Sequence, residues 1–311
     1  MISSLRVGLL VLIAVCGPVS TASAEMIYLA VGDSSAFGET NRTQNPSNGD
    51  RGYVKPFADY LGTLNGGVRP GVRNLAVNGE TTKSFFTGLI SDRASTDGIT
   101  LNSRYAPFAP NYPSQRNFML STIQSELAAG NQIKTVTVQL GANDISNVAE
   151  APGFLNLTAA QQQQQILQSL GAIQANYVTI LGTIRALLPN ADLLVIGYHN
   201  PYGGSPFHPF YNLAAPAVQG LNQVIEGVGT NPAFGAKYVD FYTPILGRDQ
   251  ELTLINTFPA DLVNYVHLNS NGYGVVSQQL IRTAAVPVPP SVILFGMGAL
   301  GLLGIRRYRV A

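Results

Sequence analysis

The chain has 311 residues and a formal net charge of +1. Its residues are 46% hydrophobic and only 11% charged, which suits a globular protein with a full core, and part of this bias comes from the two ends. Basic residues form no cluster outside the two termini, so the sequence gives no electrostatic case for nucleic-acid binding. Cys16 is the only cysteine, which excludes an intramolecular disulfide, and no Cys/His cluster has the spacing of metal ligands.

Residues 1–24 are typical of a secretory signal peptide. Arg6 supplies a positive start, residues 7–15 form an apolar core, and residues 22–24 read Ala-Ser-Ala, a small-residue cleavage site. Cys16 raises the alternative of a lipoprotein, but a valine precedes it where a small residue is expected. The sequence therefore predicts export and cleavage by signal peptidase.

Residues 25–284 alternate predicted strands with predicted helices and form one domain. The strands are predicted over 27–31, 72–77, 135–140, 192–197 and 237–242, and the helices over 54–64, 119–129, 158–188, 213–228 and 270–284. Strands rich in Val, Leu and Ile that alternate with helices favour a parallel sheet covered on both faces. We expect an α/β fold, a three-layer α/β/α sandwich of about five strands. Residues 91–117 and 243–264 are predicted as long connections, the first a lid or binding loop.

Ser34 is the candidate nucleophile. The first apolar run stops at Gly-Asp-Ser, which places Ser34 at the carboxyl edge of the sheet, where open α/β folds carry their chemistry. The alternative is that Asp33 or Ser34 only caps the next helix. A serine hydroxyl needs a base to take its proton, and the imidazole of His267, just before the last predicted helix, suits that task near neutral pH.

Gly79 and Asn143 follow the second and third predicted strands and are candidate oxyanion donors. A glycine lets a substrate approach its backbone N–H, and an asparagine offers an NH₂ donor without adding charge. The backbone N–H of Ser34 would be a third donor. Alone, Gly79 is more typical of a turn and Asn143 of a turn or helix cap. Their occurrence together with Ser34 and His267 favours hydrolytic catalysis.

Four motifs in this order resemble the blocks of the GDSL/SGNH hydrolase superfamily of esterases and lipases. They are Gly-Asp-Ser at 32–34, Asn-Leu-Ala-Val-Asn-Gly at 74–79, Gly-Ala-Asn-Asp at 141–144 and Val-His-Leu-Asn at 266–269. The resemblance covers about residues 26–282, although Ser35 stands where leucine is common. It implies a flavodoxin-like fold, an ester substrate and an acyl-enzyme on Ser34, with no metal or cofactor. It also implies an oxyanion hole made by Ser34, Gly79 and Asn143.

The sequence departs from this family at the acid of the triad. The family has an aspartate three residues before the histidine, and here that residue is Asn264. An asparagine can accept the imidazole N–H and fix the tautomer, but it cannot stabilise an imidazolium by charge. We expect either a Ser–His–Asn arrangement or a Ser–His dyad oriented by a backbone carbonyl. Asp261 is a further alternative orienting group.

The C-terminal tail, residues 285–311, has three parts. Residues 286–290 read Val-Pro-Val-Pro-Pro, residues 292–305 are apolar, and residues 306–309 contain three arginines. The tail resembles the PEP-CTERM sorting signal of exopolysaccharide-producing Gram-negative bacteria, although Val288 stands where that signal has glutamate. The resemblance implies an exosortase as a processing partner and a transient inner-membrane anchor, and a plain anchor is the alternative. Either one keeps the domain periplasmic, on the cell surface or secreted.

The sequence thus predicts an exported serine esterase for lipid, aryl or sugar O-acyl esters, and the exopolysaccharide context favours sugar O-acetyl groups. The alternative is a degenerate domain that binds exopolysaccharide without catalysis, which the retained oxyanion donors disfavour. No Gly-x-Gly-x-x-Gly opens the first helix, which excludes a nucleotide binder. Five further loop residues are candidates for structural roles or substrate contacts: His199, His208, Tyr105, Tyr112 and Tyr202.

Overall fold

A computed structural model describes residues 24–38, 51–89, 113–257 and 265–285. Its strands are β1 (Met26–Gly32), β2 (Gly71–Asn74), β3 (Gln132–Gln139), β4 (Asp192–Ile196) and β5 (Lys237–Val239). They form a five-stranded sheet of order β2-β1-β3-β4-β5 in which every neighbouring pair is parallel. The predicted fold class is confirmed. The order reverses between β1 and β3, so the crevice at their carboxyl ends is the expected place for a ligand.

Helices cover both faces of this sheet. They are α1 (Ser34–Phe37), α2 (Val54–Leu64), α3 (Ser84–Thr87), α4 (Gln115–Ala128), α5 (Ala142–Ala149), α6 (Ala159–Leu187), α7 (Tyr211–Gly229), α8 (Asp249–Leu252) and α9 (Ser270–Ala285). Short 3₁₀ helices lie at Phe154–Asn156 and Ile255–Thr257. The sequence predicts α2, α6, α7 and α9 to within two residues at each end, and its helix over 119–129 corresponds to α4. The capping box of Thr158 and Gln161 defines the start of α6.

The side chains of β1 alternate between the two layers of the core. Leu29 and Val31 pack with side chains of α4, α6 and α7 on one face, and Tyr28 and Ala30 pack with α2 and α9 on the other. Burial on both faces explains why β1 is a continuous apolar run instead of an alternating one.

Four elements differ from the sequence prediction. The helices α1 and α8 are each one turn long, too short to show a helical period, and they lie where a turn and a connection are predicted. The helix α5 was not predicted, so Asn143 lies in a helical turn and not in a loop after the strand. The helix α4 begins at Gln115, inside the predicted 91–117 loop, because Ser114 caps it by accepting a hydrogen bond from the Asn117 N–H.

Most of the predicted signal peptide and of the predicted C-terminal tail lies outside the described residues. Residues 1–23 of the predicted signal peptide and residues 286–311 of the predicted tail are not described, so both segments and the domain limits stay predictions. Among the helices of the described ranges, none has the length and apolarity needed to cross a bilayer.

Candidate active site

Ser34 is the first residue of α1, and only Asp33 separates it from the end of β1. The carboxylate of Asp33 caps this helix by accepting a hydrogen bond of 2.9 Å from the Ser35 N–H. The sequence allowed either Asp33 or Ser34 to cap the helix, and the structure assigns the capping role to Asp33. The hydroxyl of Ser34 points elsewhere, because its Oγ lies 2.9 Å from Nε2 of His267. This is the contact that a serine nucleophile makes with its base.

His267 is held at this distance by the segment on which it lies. Its carbonyl accepts a hydrogen bond of 2.9 Å from the Leu254 N–H, and the Asn269 N–H donates to Leu252 O at 3.0 Å. The Asn269 side chain donates to Thr253 O at 3.2 Å. These bonds fix the backbone on both sides of His267, which is buried except for 9% of its surface.

His199 supports the same segment. Its Nε2 lies 3.1 Å from the carbonyl oxygen of Val266, and a carbonyl can only accept, so Nε2 carries the proton. Burial, and to a smaller extent the charge of His267, lowers the pKa of His199 to about 4. His199 is therefore neutral near pH 7 and adds no positive charge beside the base. His208 stacks on Tyr202 at 4.1 Å between ring centroids.

The candidate oxyanion donors lie around the same space. Gly79 has φ of 72°, a left-handed conformation that glycine adopts without strain. Within the described ranges, the backbone N–H groups of Ser34 and Gly79 donate to no other protein group. Asn143 Nδ2 donates one hydrogen to Glu80 O at 2.9 Å, which orients the amide. An NH₂ group has two hydrogens, so one donor of Asn143 remains for a ligand.

The structure brings together the four predicted catalytic groups around one cavity of about 470 Å³: Ser34, Gly79, Asn143 and His267. His199 and Tyr202 also border it. Four further sequence candidates lie outside the described residues: Asn264, Asp261, Tyr105 and Tyr112. In the ranges that the structure describes, no group of three or more His, Cys, Asp or Glu side chains is arranged to hold a metal ion.

A sequence model of the GDSL-like lipase/acylhydrolase family matches residues 30–275. The chain belongs to this family. As the sequence predicts, the GDSL-family chain is a carboxylic ester hydrolase. The Gly-Asp-Ser of the family's first block is the segment that ends β1 and begins α1.

Solved structures share the fold of this GDSL-family chain at low sequence identity. A lipase from a goat rumen metagenome is 18% identical with a TM-score of 0.54, and the match covers 84% of this chain and 97% of the lipase chain. A variant of an acetyl-xylooligosaccharide esterase from Geobacillus stearothermophilus is 13% identical with a TM-score of 0.51, covering 86% and 97%. A putative GDSL-like lipase from Parabacteroides merdae is 12% identical with a TM-score of 0.51, covering 84% and 96%. No curated protein matches the sequence.

Three side chains to which the sequence assigns no role hold the Gly79 turn in place: Gln115 and Glu80, which are buried, and Asp144, which is half-buried. The Gln115 amide bonds both the N–H and the carbonyl of Gly32, at 3.1 and 2.8 Å, and donates to the Glu80 carboxylate at 3.2 Å. Asp144 accepts hydrogen bonds from the Thr82 N–H and hydroxyl at 2.8 and 2.6 Å. The turn that carries Gly79 is thus tied to β1 on one side and to α5 on the other.

Asp33 is a buried carboxyl group whose surroundings make it hard to ionise. Burial raises its pKa to about 7, although Tyr198 Oη at 2.6 Å and the Ser35 N–H donate to it; repulsion by Asp144 and Glu80 adds a little. Between pH 4 and 7 the folded chain keeps a proton on Asp33 that the unfolded chain has lost. The free energy of unfolding therefore falls as pH rises through this window, by about 4 kcal/mol from this group.

The variant Asp33→Asn is expected to lose this pH dependence. The free energy of unfolding of the variant minus that of the wild type should rise by about 4 kcal/mol between pH 4 and 8, measured by urea unfolding. Asp59→Asn is the matched control, because the exposed Asp59 has its pKa lowered by Lys55 and Arg69 and should show no such rise. A difference for Asp33→Asn that is constant with pH would contradict the assignment.

Proposed function

We propose that this chain is an extracytoplasmic serine esterase that cleaves lipid, aryl or sugar O-acyl esters through an acyl-enzyme on Ser34. The observation that supports it most is the 2.9 Å contact between Ser34 Oγ and His267 Nε2 at the wall of the cavity. The predicted signal peptide and the predicted sorting tail support the location. They also suggest the partners, which are signal peptidase, an exosortase-type enzyme and exopolysaccharide as an ester carrier.

In this mechanism Ser34 Oγ attacks the ester carbonyl while His267 takes the hydroxyl proton. The negative charge that develops on the carbonyl oxygen is stabilised by the N–H groups of Ser34 and Gly79 and by the free N–H of Asn143. His267 then gives its proton to the departing alcohol. A water molecule, deprotonated by His267, hydrolyses the acyl-enzyme and releases the acid. Asn264 is the proposed orienting partner of His267, with Asp261 or a backbone carbonyl as the alternative.

The test combines turnover with covalent labelling. The purified protein should hydrolyse p-nitrophenyl esters, and diisopropyl fluorophosphate should add once per chain, on the peptide that contains Ser34, because only an activated serine reacts readily. Turnover should fall in proportion to the labelled fraction. Full turnover after complete labelling of Ser34, or an adduct on another residue, would contradict the proposal. Exopolysaccharide binding without turnover on any ester would favour the non-catalytic alternative.

A further inference from the structure

The cavity beside Ser34 has a wall that is apolar over most of its extent. Three helices, α5, α6 and α7, contribute many of its apolar side chains, among them Ile145, Ile166, Ala214, Ala217, Val218 and Leu221. Hydrogen-bonding groups border the same cavity at Ser34, Asn143 and His267, and α5 with its C-cap adds Ser146 and Glu150 to the lining. The cavity therefore combines a reactive polar region with an extended apolar surface, which is the arrangement of a site for an apolar group attached to an ester.

The register of α7 gives the length of this surface. Leu221 lies next to the start of α5, since a Cβ on Gly141 would be 2.9 Å from Leu221 Cδ1. Ala214 lies seven residues earlier on the same helix and also borders the cavity. Seven residues of α-helix rise about 10 Å. Each C–C bond of about 1.5 Å advances an extended zigzag chain by about 1.3 Å, so about eight bonds cover that distance.

The cavity is too large for an acetyl group alone. Its volume of about 470 Å³ lies within the range of sites that enclose whole small ligands, about 300–1,000 Å³. An acetyl group would leave most of the apolar wall without partner atoms, and those contacts would be lost. A longer acyl chain would replace water along the wall, which favours its binding in proportion to the apolar area covered.

We propose that this cavity is an acyl pocket for esters of medium-chain carboxylic acids, with Ala214 and Ala217 setting its depth. The proposal rests on the proposed serine esterase function and adds the substrate class. The absence of larger side chains at these two positions leaves the space open between α5 and α7. Ala217 is one helical turn closer to Leu221 than Ala214 is, so a larger side chain there leaves room for a shorter acyl chain.

The experiment measures kcat/KM for p-nitrophenyl esters from acetate to palmitate. For the wild type, kcat/KM should rise about fourfold with each methylene up to about octanoate and then level off or fall. Ala214→Leu should move the optimum to a shorter acyl chain, and Ala217→Leu should move it further. Ala215→Leu is the matched control, because Ala215 lies on the same helix but does not border the cavity. It should keep the wild-type profile.

A second measurement covers the case in which a leucine in this buried wall prevents folding. Free carboxylic acids from acetate to decanoate should inhibit the wild type in hydrolysis of the acetate ester, with the inhibition constant falling as the chain lengthens to about eight carbons. Turnover that depends on Ser34 but is highest for acetate would overturn the acyl pocket and leave the esterase standing. So would an equal shift in Ala215→Leu. If the wild type hydrolysed none of the esters in a Ser34-dependent way, the proposed function itself would be overturned.

Discussion

Ser34→Ala is expected to lower kcat by about 10⁴-fold or more. The variant loses the atom that attacks the ester, while the apolar wall and the oxyanion donors stay in place, so the KM for a cavity-filling ester should change little. Ser35→Ala is the matched control. The backbone N–H of residue 35, which donates a hydrogen bond to the Asp33 side chain, is kept, so kcat should stay within the wild-type order of magnitude. Initial rates on p-nitrophenyl esters with both purified variants provide the measurement.

Ser34 and His267 should act as a unit. His267→Ala should cost about as much as Ser34→Ala, and the double variant should be no slower than either single variant, because each loss already removes the activated nucleophile. Independent losses that multiply in the double variant would contradict the assigned contact. His267→Ala that keeps more than about a tenth of wild-type kcat would mean that another group is the base.

The reactive end of the site could be predicted because its signals are local. An apolar run that stops at Gly-Asp-Ser marks a strand end whatever the rest of the chain does, and the same holds for Gly79 and for Asn143. Parallel strands share one carboxyl edge, so the sequence order alone suggests that these residues meet. The contact between Ser34 and His267 joins residues 233 positions apart. It could be predicted because serine chemistry requires a base and because the motif around His267 resembles a block of the family.

The supporting residues could not be predicted because their signals are not local. Gln115 lies among polar residues, and its role comes from Gly32, 83 positions away. The amphipathic pattern of α7 predicts a helix with a buried face. It does not predict whether Ala214 and Ala217 on that face pack against core side chains or border a cavity, as they do. Which face of a helix meets a cavity depends on the packing of neighbouring helices, here α5 and α6.

Asn143→Ala is expected to lower kcat by about 10²–10³-fold with little change in KM. The donor acts on charge that exists only in the transition state, so its loss affects the chemical step and not the binding of the neutral ester. The variant should still fold, since the lost hydrogen bond to Glu80 O contributes about 1 kcal/mol. Asn147→Ala, one turn later on α5, is the matched control, because Asn147 borders a separate groove and not the Ser34 cavity.

The replacement Asn143→Asp separates hydrogen-bond donation from packing. An aspartate has nearly the same shape, but an ionised carboxylate can only accept hydrogen bonds and would repel the oxyanion. We expect kcat to fall at least as far as in Asn143→Ala, although the volume of the side chain is kept. If Asn143→Asp retained most of the wild-type kcat, neither hydrogen bond donated by Asn143, to the oxyanion or to Glu80 O, would be needed for catalysis. The oxyanion would then be held by the backbone N–H groups of Ser34 and Gly79 alone.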